Sequence, residues 1–224
     1  EVSKNAKKPK TILHSLDIST LSDKGNLFYK AQFLPYMFQS ESIESFAKLY
    51  PDFSYFDFRL PLVRYYGNRP AIFHALKLFF IDQSPDLGRI KGYRGQDIEW
   101  TDDLANAKKR KTTFKAPIDT SCVTLFEAYL QECLANNINV ILVYTPEYIE
   151  GQHFVTNRED VLQIYRDLST KYRIPFLDYS TDSISFNKTL FYNSGHLNKK
   201  GSELFTHLLA NDLKRILDGF SSSP

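Results

Sequence analysis

Three short apolar runs, Thr11 to Leu16, Asn139 to Tyr144 and Ile174 to Tyr179, constrain the fold of this chain more than any other feature. The first two are continuous rather than alternating, the pattern of parallel strands covered by helices on both faces. Each follows a polar or helix-ending stretch: Lys7-Lys8-Pro9-Lys10, Asn136-Asn137 and Lys171-Tyr172-Arg173.

Amphipathic helices are predicted between and after these runs. Asp119 or Thr120 can cap one whose apolar residues Phe126, Tyr129, Leu130, Cys133 and Leu134 recur at three-and-four spacing. Asn157 can cap a second, with Asp160 at its third position and Val161, Ile164, Tyr165 and Leu168 facing inward. A third is expected from about Lys200 to Leu217, with Gly219 as a left-handed C-terminal residue. Strand and helix in alternation predict an α/β fold, a three-layer α/β/α doubly wound parallel sheet. Residues 27–117 break the rhythm with Pro, Gly and aromatic residues, although helices are plausible at Glu41 to Leu49 and Pro70 to Ile81. This stretch reads as an aromatic-rich insertion or lid on the sheet's carboxyl edge, within a single domain spanning residues 1–224.

Composition excludes several functions. A formal net charge of +2 and one dense basic run, Lys108-Lys109-Arg110-Lys111, read as a solvated loop and give nucleic acid no support as a partner. Cys122 and Cys133 fall in one predicted helix, ~16 Å apart along its axis. A disulfide requires Cα atoms within ~7 Å, so the two do not bridge each other. No apolar run approaches the ~20 residues of a membrane span. The chain begins Glu-Val-Ser-Lys, so an anchoring or targeting segment upstream is an open expectation. Neither Walker, Rossmann nor HExxH patterns occur, and no metal or organic cofactor is expected.

The segment richest in chemistry is Phe176-Leu-Asp-Tyr-Ser followed by Leu190-Phe-Tyr-Asn-Ser-Gly-His-Leu-Asn-Lys-Lys-Gly-Ser-Glu-Leu-Phe. It places His196 on a loop between a strand and a long helix. In an α/β sheet that loop faces the crevice where ligands bind. Imidazole titrates near neutral pH, which suits a general base. The pattern His-Leu-Asn-x-x-Gly-x-x-x-Phe resembles the last sequence block of SGNH/GDSL-type hydrolases, over roughly Ile174 to Leu217. It is closest to the membrane-associated branch of alginate acetylation and teichoic-acid alanylation. Lys8-Pro-Lys-Thr-Ile-Leu-His-Ser-Leu-Asp-Ile-Ser and Val143-Tyr-Thr-Pro-Glu-Tyr are similar to that branch as well.

The resemblance implies a flavodoxin-like sheet and a serine hydrolase or acyltransferase that needs no cofactor. His196 would be its base, acting on acyl esters of a carbohydrate or cell-envelope polymer in an extracytoplasmic location. The chain departs from the family twice. Asn193 stands three before the histidine in place of Asp, so it can orient the imidazole without bringing charge. No Gly-Asp-Ser or Gly-Ser-Ser block is visible. Either Ser15 is a degenerate nucleophile, or Thr11 to Leu16 is the family's second strand and the serine strand precedes Glu1, the favoured reading. Asp178 and Asp182 are nearby carboxylates, Asp178 better suited to capping a strand end. Tyr66-Gly67-Asn68 is the nearest echo of an oxyanion block but reads as a helix cap before Arg69-Pro70. His14, His74, His153 and His207 are scattered, while Glu147 and Glu150 could line the crevice. The competing function is a non-catalytic binding or assembly protein with a degenerate site.

Overall fold

The computed structural model describes residues 8–22, 44, 54–60, 73, 76, 80, 93–95 and 97–221. The chain divides into two compact units, one of residues 1–7 and 24–92, the other of residues 8–23 and 93–224. The insertion expected over 27–117 therefore contributes to both. Of the first unit, the described part is helix α1 (Tyr55–Arg59), closed by the reciprocal Ser54–Asp57 capping box, and single helical residues Glu44, Phe73, Leu76 and Phe80. Tyr66-Gly67-Asn68, His74 and most of the two helices expected near them lie outside the described residues.

The second unit carries the three strands read from the sequence: β1 (Thr11–Leu16), β2 (Asn139–Tyr144) and β3 (Phe176–Asp178). They pair in parallel in the order β1-β2-β3. Around them run α2 (Asp103–Arg110), α3 (Thr120–Ala135), α4 (Ile149–Phe154), α5 (Arg158–Tyr172) and α6 (Lys199–Ser221). β2 shows why a continuous apolar run means burial on both faces. Its alternate residues Val140, Leu142 and Tyr144 enter one core with Phe126, Leu130 and Cys133 of α3 and Val161, Leu162 and Tyr165 of α5. Ile141 and Val143 enter a second core with Tyr179, Leu190, Phe191 and Phe205 of α6.

The α/β class is as expected, with helices against both faces of β2. Both helices that connect the strands, α3 and α5, contribute to the same core, and the three strands follow sequence order. A doubly wound sheet reverses its strand order at one point; the described strands do not include that reversal. β1 pairs directly with β2, which corrects its placement as a second strand. In a 2-1-3-4-5 order the second strand touches only the first, so β1 fits the first or third position of such a sheet.

Four local expectations are also revised. Lys108-Lys109-Arg110 is not a loop but the last turn of α2, where cations complement the exposed carbonyls, and Leu104 anchors that helix in the interior. Asn157 stands at the start of α5 without capping it. Its amide is instead buried against Ala116, accepting from the Ala116 N–H at 2.8 Å and donating to its carbonyl at 2.9 Å. Helix α6 continues through Gly219 to Ser221 instead of ending there. The third strand is shorter than its apolar run, because Ile174 is already held by a bond to Ser169 at the end of α5. Asp119 does cap α3, accepting from the backbones of Ser121 and Cys122. Both cysteines lie on that helix and form no disulfide with each other.

Candidate functional site

His196 lies on a small antiparallel hairpin, β4 (Phe191–Asn193) and β5 (His196–Leu197), with Asn193 paired opposite it. Phe191 is buried in the second core and Leu197 packs beside it, so the hairpin has one fixed face. The imidazole is exposed. Asn193 Oδ1 accepts from the Gly195 backbone N–H at 3.1 Å and lies 2.9 Å from His196 Nδ1. A backbone N–H only donates, so the Asn193 atom facing it is the oxygen, and that same oxygen requires the proton on Nδ1. Nε2 makes no hydrogen bond among the described residues. The Tyr192 ring stacks against the imidazole at 5.4 Å and 21°, which restrains the ring's tilt.

The residues after His196 have structural reasons of their own. Asn198 Oδ1 accepts from the Gly201 N–H, capping α6, while its Nδ2 donates to the Thr189 carbonyl. A side chain at Gly201 would put its Cβ 2.1 Å from the Leu190 carbonyl oxygen, so only glycine lets α6 start this close to the strand. The spacing His-Leu-Asn-x-x-Gly thus fixes the helix to the hairpin, and the hairpin positions the imidazole.

The hairpin is held at the carboxyl end of the sheet. The backbone N–H of Tyr148, four residues beyond the end of β2, donates to the Ser194 carbonyl at 2.9 Å. Gly151 leaves room for that contact, since a Cβ there would fall 2.6 Å from Ser194 Cβ. On the other side the Thr101 N–H donates to the Tyr192 carbonyl at 2.7 Å, and Trp100 meets Tyr148 edge-on at 5.1 Å. Gln152, buried, donates to the carbonyls of Glu147 and Ser180 and so ties the β2 exit to the β3 exit.

No family model, characterised protein or solved structure matches this chain.

The structure joins two of the three site residues named from the sequence. Asn193 and His196 are in hydrogen-bond contact; Ser15 is joined to neither. It lies exposed near the carboxyl end of β1, opposite Val143, and its hydroxyl makes no hydrogen bond among the described residues. Asp178 accepts from the Ser180 N–H and Asp182 from the Ile184 N–H, so both serve local backbone and neither orients the imidazole. Glu147 does not line an open crevice. It is half-buried, accepts from the Tyr144 hydroxyl at 2.8 Å and faces Arg158 Nε at 3.7 Å; desolvation raises its pKa above the ordinary carboxylate value, against the pull of those two partners. Glu150 is exposed, bonded to Lys108 at 2.9 Å, and that ammonium holds its carboxyl below the usual range. His14 sits half-buried between Phe126 and Tyr129, and His153 and His207 are exposed on α4 and α6.

Sequence reading missed Tyr192, Tyr148, Trp100 and Gly151. The aromatic character of the first three is plain in the sequence, but nothing in the spacing of the four says that they meet around one loop. Among the described residues no group of three His, Cys, Asp or Glu is placed to hold a metal ion, and no described helix is long and apolar enough to cross a membrane.

Proposed function

We propose that this chain carries the base-bearing part of an SGNH-type esterase or O-acyltransferase acting on acyl esters of a carbohydrate or cell-envelope polymer. One observation carries the reading: an exposed imidazole at the sheet's carboxyl end, with Nδ1 committed to Asn193 and Nε2 free. That is the tautomer a general base needs. In the reaction a serine Oγ attacks the acyl carbonyl while Nε2 takes its proton. The same proton then passes to the departing alcohol oxygen, leaving the acyl group on the serine. Water or an acceptor hydroxyl, deprotonated in turn by Nε2, attacks the acyl-serine, and that proton passes from Nε2 to the departing serine Oγ, completing hydrolysis or transfer and restoring the free serine and neutral imidazole. The serine is Ser15 if β1 is the first strand of such a sheet, and lies outside these residues if β1 is the third. Asn193 supplies orientation without charge, so the imidazolium is less stabilised than beside a carboxylate.

The test is ester turnover by the full-length protein. His196→Ala is expected to lower it by at least ~10³-fold. Asn193→Asp, which adds the missing charge, is expected to raise it about tenfold. Unchanged rates in both variants would favour the second reading, a binding or assembly protein with a degenerate site. That reading draws its support from Asn193 and from the absence of any contact between Ser15 and His196.

A further inference from the structure

An imidazole that takes up a second proton becomes a cation and needs something to stabilise the charge. Asn193 offers His196 only a neutral oxygen, already facing Nδ1. The elements packed around the hairpin carry charges of both signs. Asp97 and Glu99 precede the Thr101 contact, Glu150 stands on α4 bonded to Lys108, and α6 opens with Lys199, Lys200 and Glu203. Among the described residues none of these groups is in hydrogen-bond or ion-pair contact with the imidazole.

What the imidazole does meet is one aromatic ring. Tyr192 is stacked on it, with centroids 5.4 Å apart and planes inclined by 21°. That separation is inside the ~6 Å over which a ring's quadrupole attracts a cation. The Tyr192 ring makes no other ring or cation contact among the described residues, and its hydroxyl makes no hydrogen bond there. Its place is set through the backbone. The Tyr192 carbonyl accepts from the Thr101 N–H at 2.7 Å, and the preceding Phe191 is buried in the second core.

We propose that Tyr192 is a positioning residue whose aromatic face stabilises the imidazolium form of His196, in place of the charge that Asn193 does not bring. A neutral imidazole gains little from that face, whereas the cation gains the charge–quadrupole attraction. At an exposed site the attraction favours the protonated form by about two- to fivefold. An aliphatic side chain of similar bulk supplies no such attraction and only removes water from the charge. The stabilisation is a property of the two rings; that it assists acyl transfer rests on the function proposed above.

Proton NMR titration of the full-length protein reads the effect. The chain has five histidines, and the signal missing from His196→Ala identifies the relevant one. Tyr192→Leu keeps apolar bulk and removes the face, so its His196 midpoint should fall about 0.5 pH unit below the parent's. Tyr192→Phe lacks only the hydroxyl and should keep the parent midpoint. Tyr192→Trp presents the strongest face and should raise it. Nitrogen-15 spectra should still place the neutral proton on Nδ1 in each variant, marking an intact hairpin. Where Tyr192→Leu disturbs that proton, Tyr192→Trp decides: a raised midpoint supports the assignment and an unraised one overturns it. With the hairpin intact, an unmoved midpoint in Tyr192→Leu, or a Tyr192→Phe midpoint as low as that of Tyr192→Leu, would overturn it as well. In ester turnover, Tyr192→Leu should move the acid limb of the pH–rate profile to lower pH and lower plateau kcat about twofold with KM unchanged. A fall in kcat with the acid limb unmoved would mark a merely structural ring and reject the proposal. The expected NMR shifts without ester turnover by the parent would keep the role of Tyr192 and reject the hydrolase.

Discussion

The two polar clusters at the carboxyl end of the sheet solve opposite problems. Around Tyr144, Glu147 and Arg158 the charges turn inward: the hydroxyl donates to the carboxylate, which faces Arg158 Nε at 3.7 Å, and the guanidinium lies 5.1 Å over the Tyr144 ring with its Nε and one Nη buried. Around Asn193 and His196 every bond is made on one side of the ring, and the other nitrogen is left to solvent. The first arrangement stabilises a loop. The second leaves an acceptor unused at the protein's surface, with Tyr192 and Asn193 holding it in place. Proximity to the strand ends is common to both, and so is an unused nitrogen, so neither distinguishes a working group from a structural one; exposure of the unused atom to solvent does.

Four substitutions would break or sharpen that contrast. The largest effect belongs to His196→Ala. Its turnover should fall by at least ~10³-fold, yet its unfolding free energy in urea should stay within ~0.5 kcal/mol of the parent, because an exposed ring supports little packing. A large loss of stability would mean that the ring is structural after all. Glu147→Ala should do the reverse, costing about 3 kcal/mol by stranding the Arg158 guanidinium in a largely buried site. Gly201→Ala should cost about 1–3 kcal/mol, since its Cβ would collide with the Leu190 carbonyl and push α6 off the hairpin. It should also lower turnover, which links the helix start to the imidazole. The smallest effect is a pH dependence. Burial lowers the His14 pKa from its ordinary 6.5, so the unfolded chain takes up that proton first. The stability contributed by neutral His14 is complete above pH 6.5 and declines as pH falls towards the lowered value. Urea titrations of His14→Leu should show a flatter slope in that window.

Much of this was legible in the sequence, for reasons that particular elements make clear. The runs Thr11 to Leu16 and Asn139 to Tyr144 became β1 and β2 within the same bounds, because burial on both faces leaves no room for a polar residue at β2's centre. Asp119 caps α3 because a carboxylate beside free backbone N–H groups satisfies them wherever the helix packs. The contact between Asn193 and His196 was legible for a similar reason: three residues across a tight turn bring the two side chains together by local geometry alone. Asn157 misled because its amide has a long-range use, at Ala116, that no local pattern records. The basic run misled because its character as a helix end depends on Leu104 being buried, a tertiary fact.

What the sequence determined by itself, then, is what neighbours along the chain govern: strand and helix identity, the Asp119 cap and the reach of Asn193 to His196. Only the tertiary structure decided which groups meet across it. It set the order β1-β2-β3, turned Glu147 inward, docked Ser194 on Tyr148 and set Trp100 edge-on to Tyr148. Local hydrogen bonds and hydrophobic period act over a few residues, whereas the strand pairings and the Ser194–Tyr148 bond join positions 34 or more apart and exist only once both cores are packed.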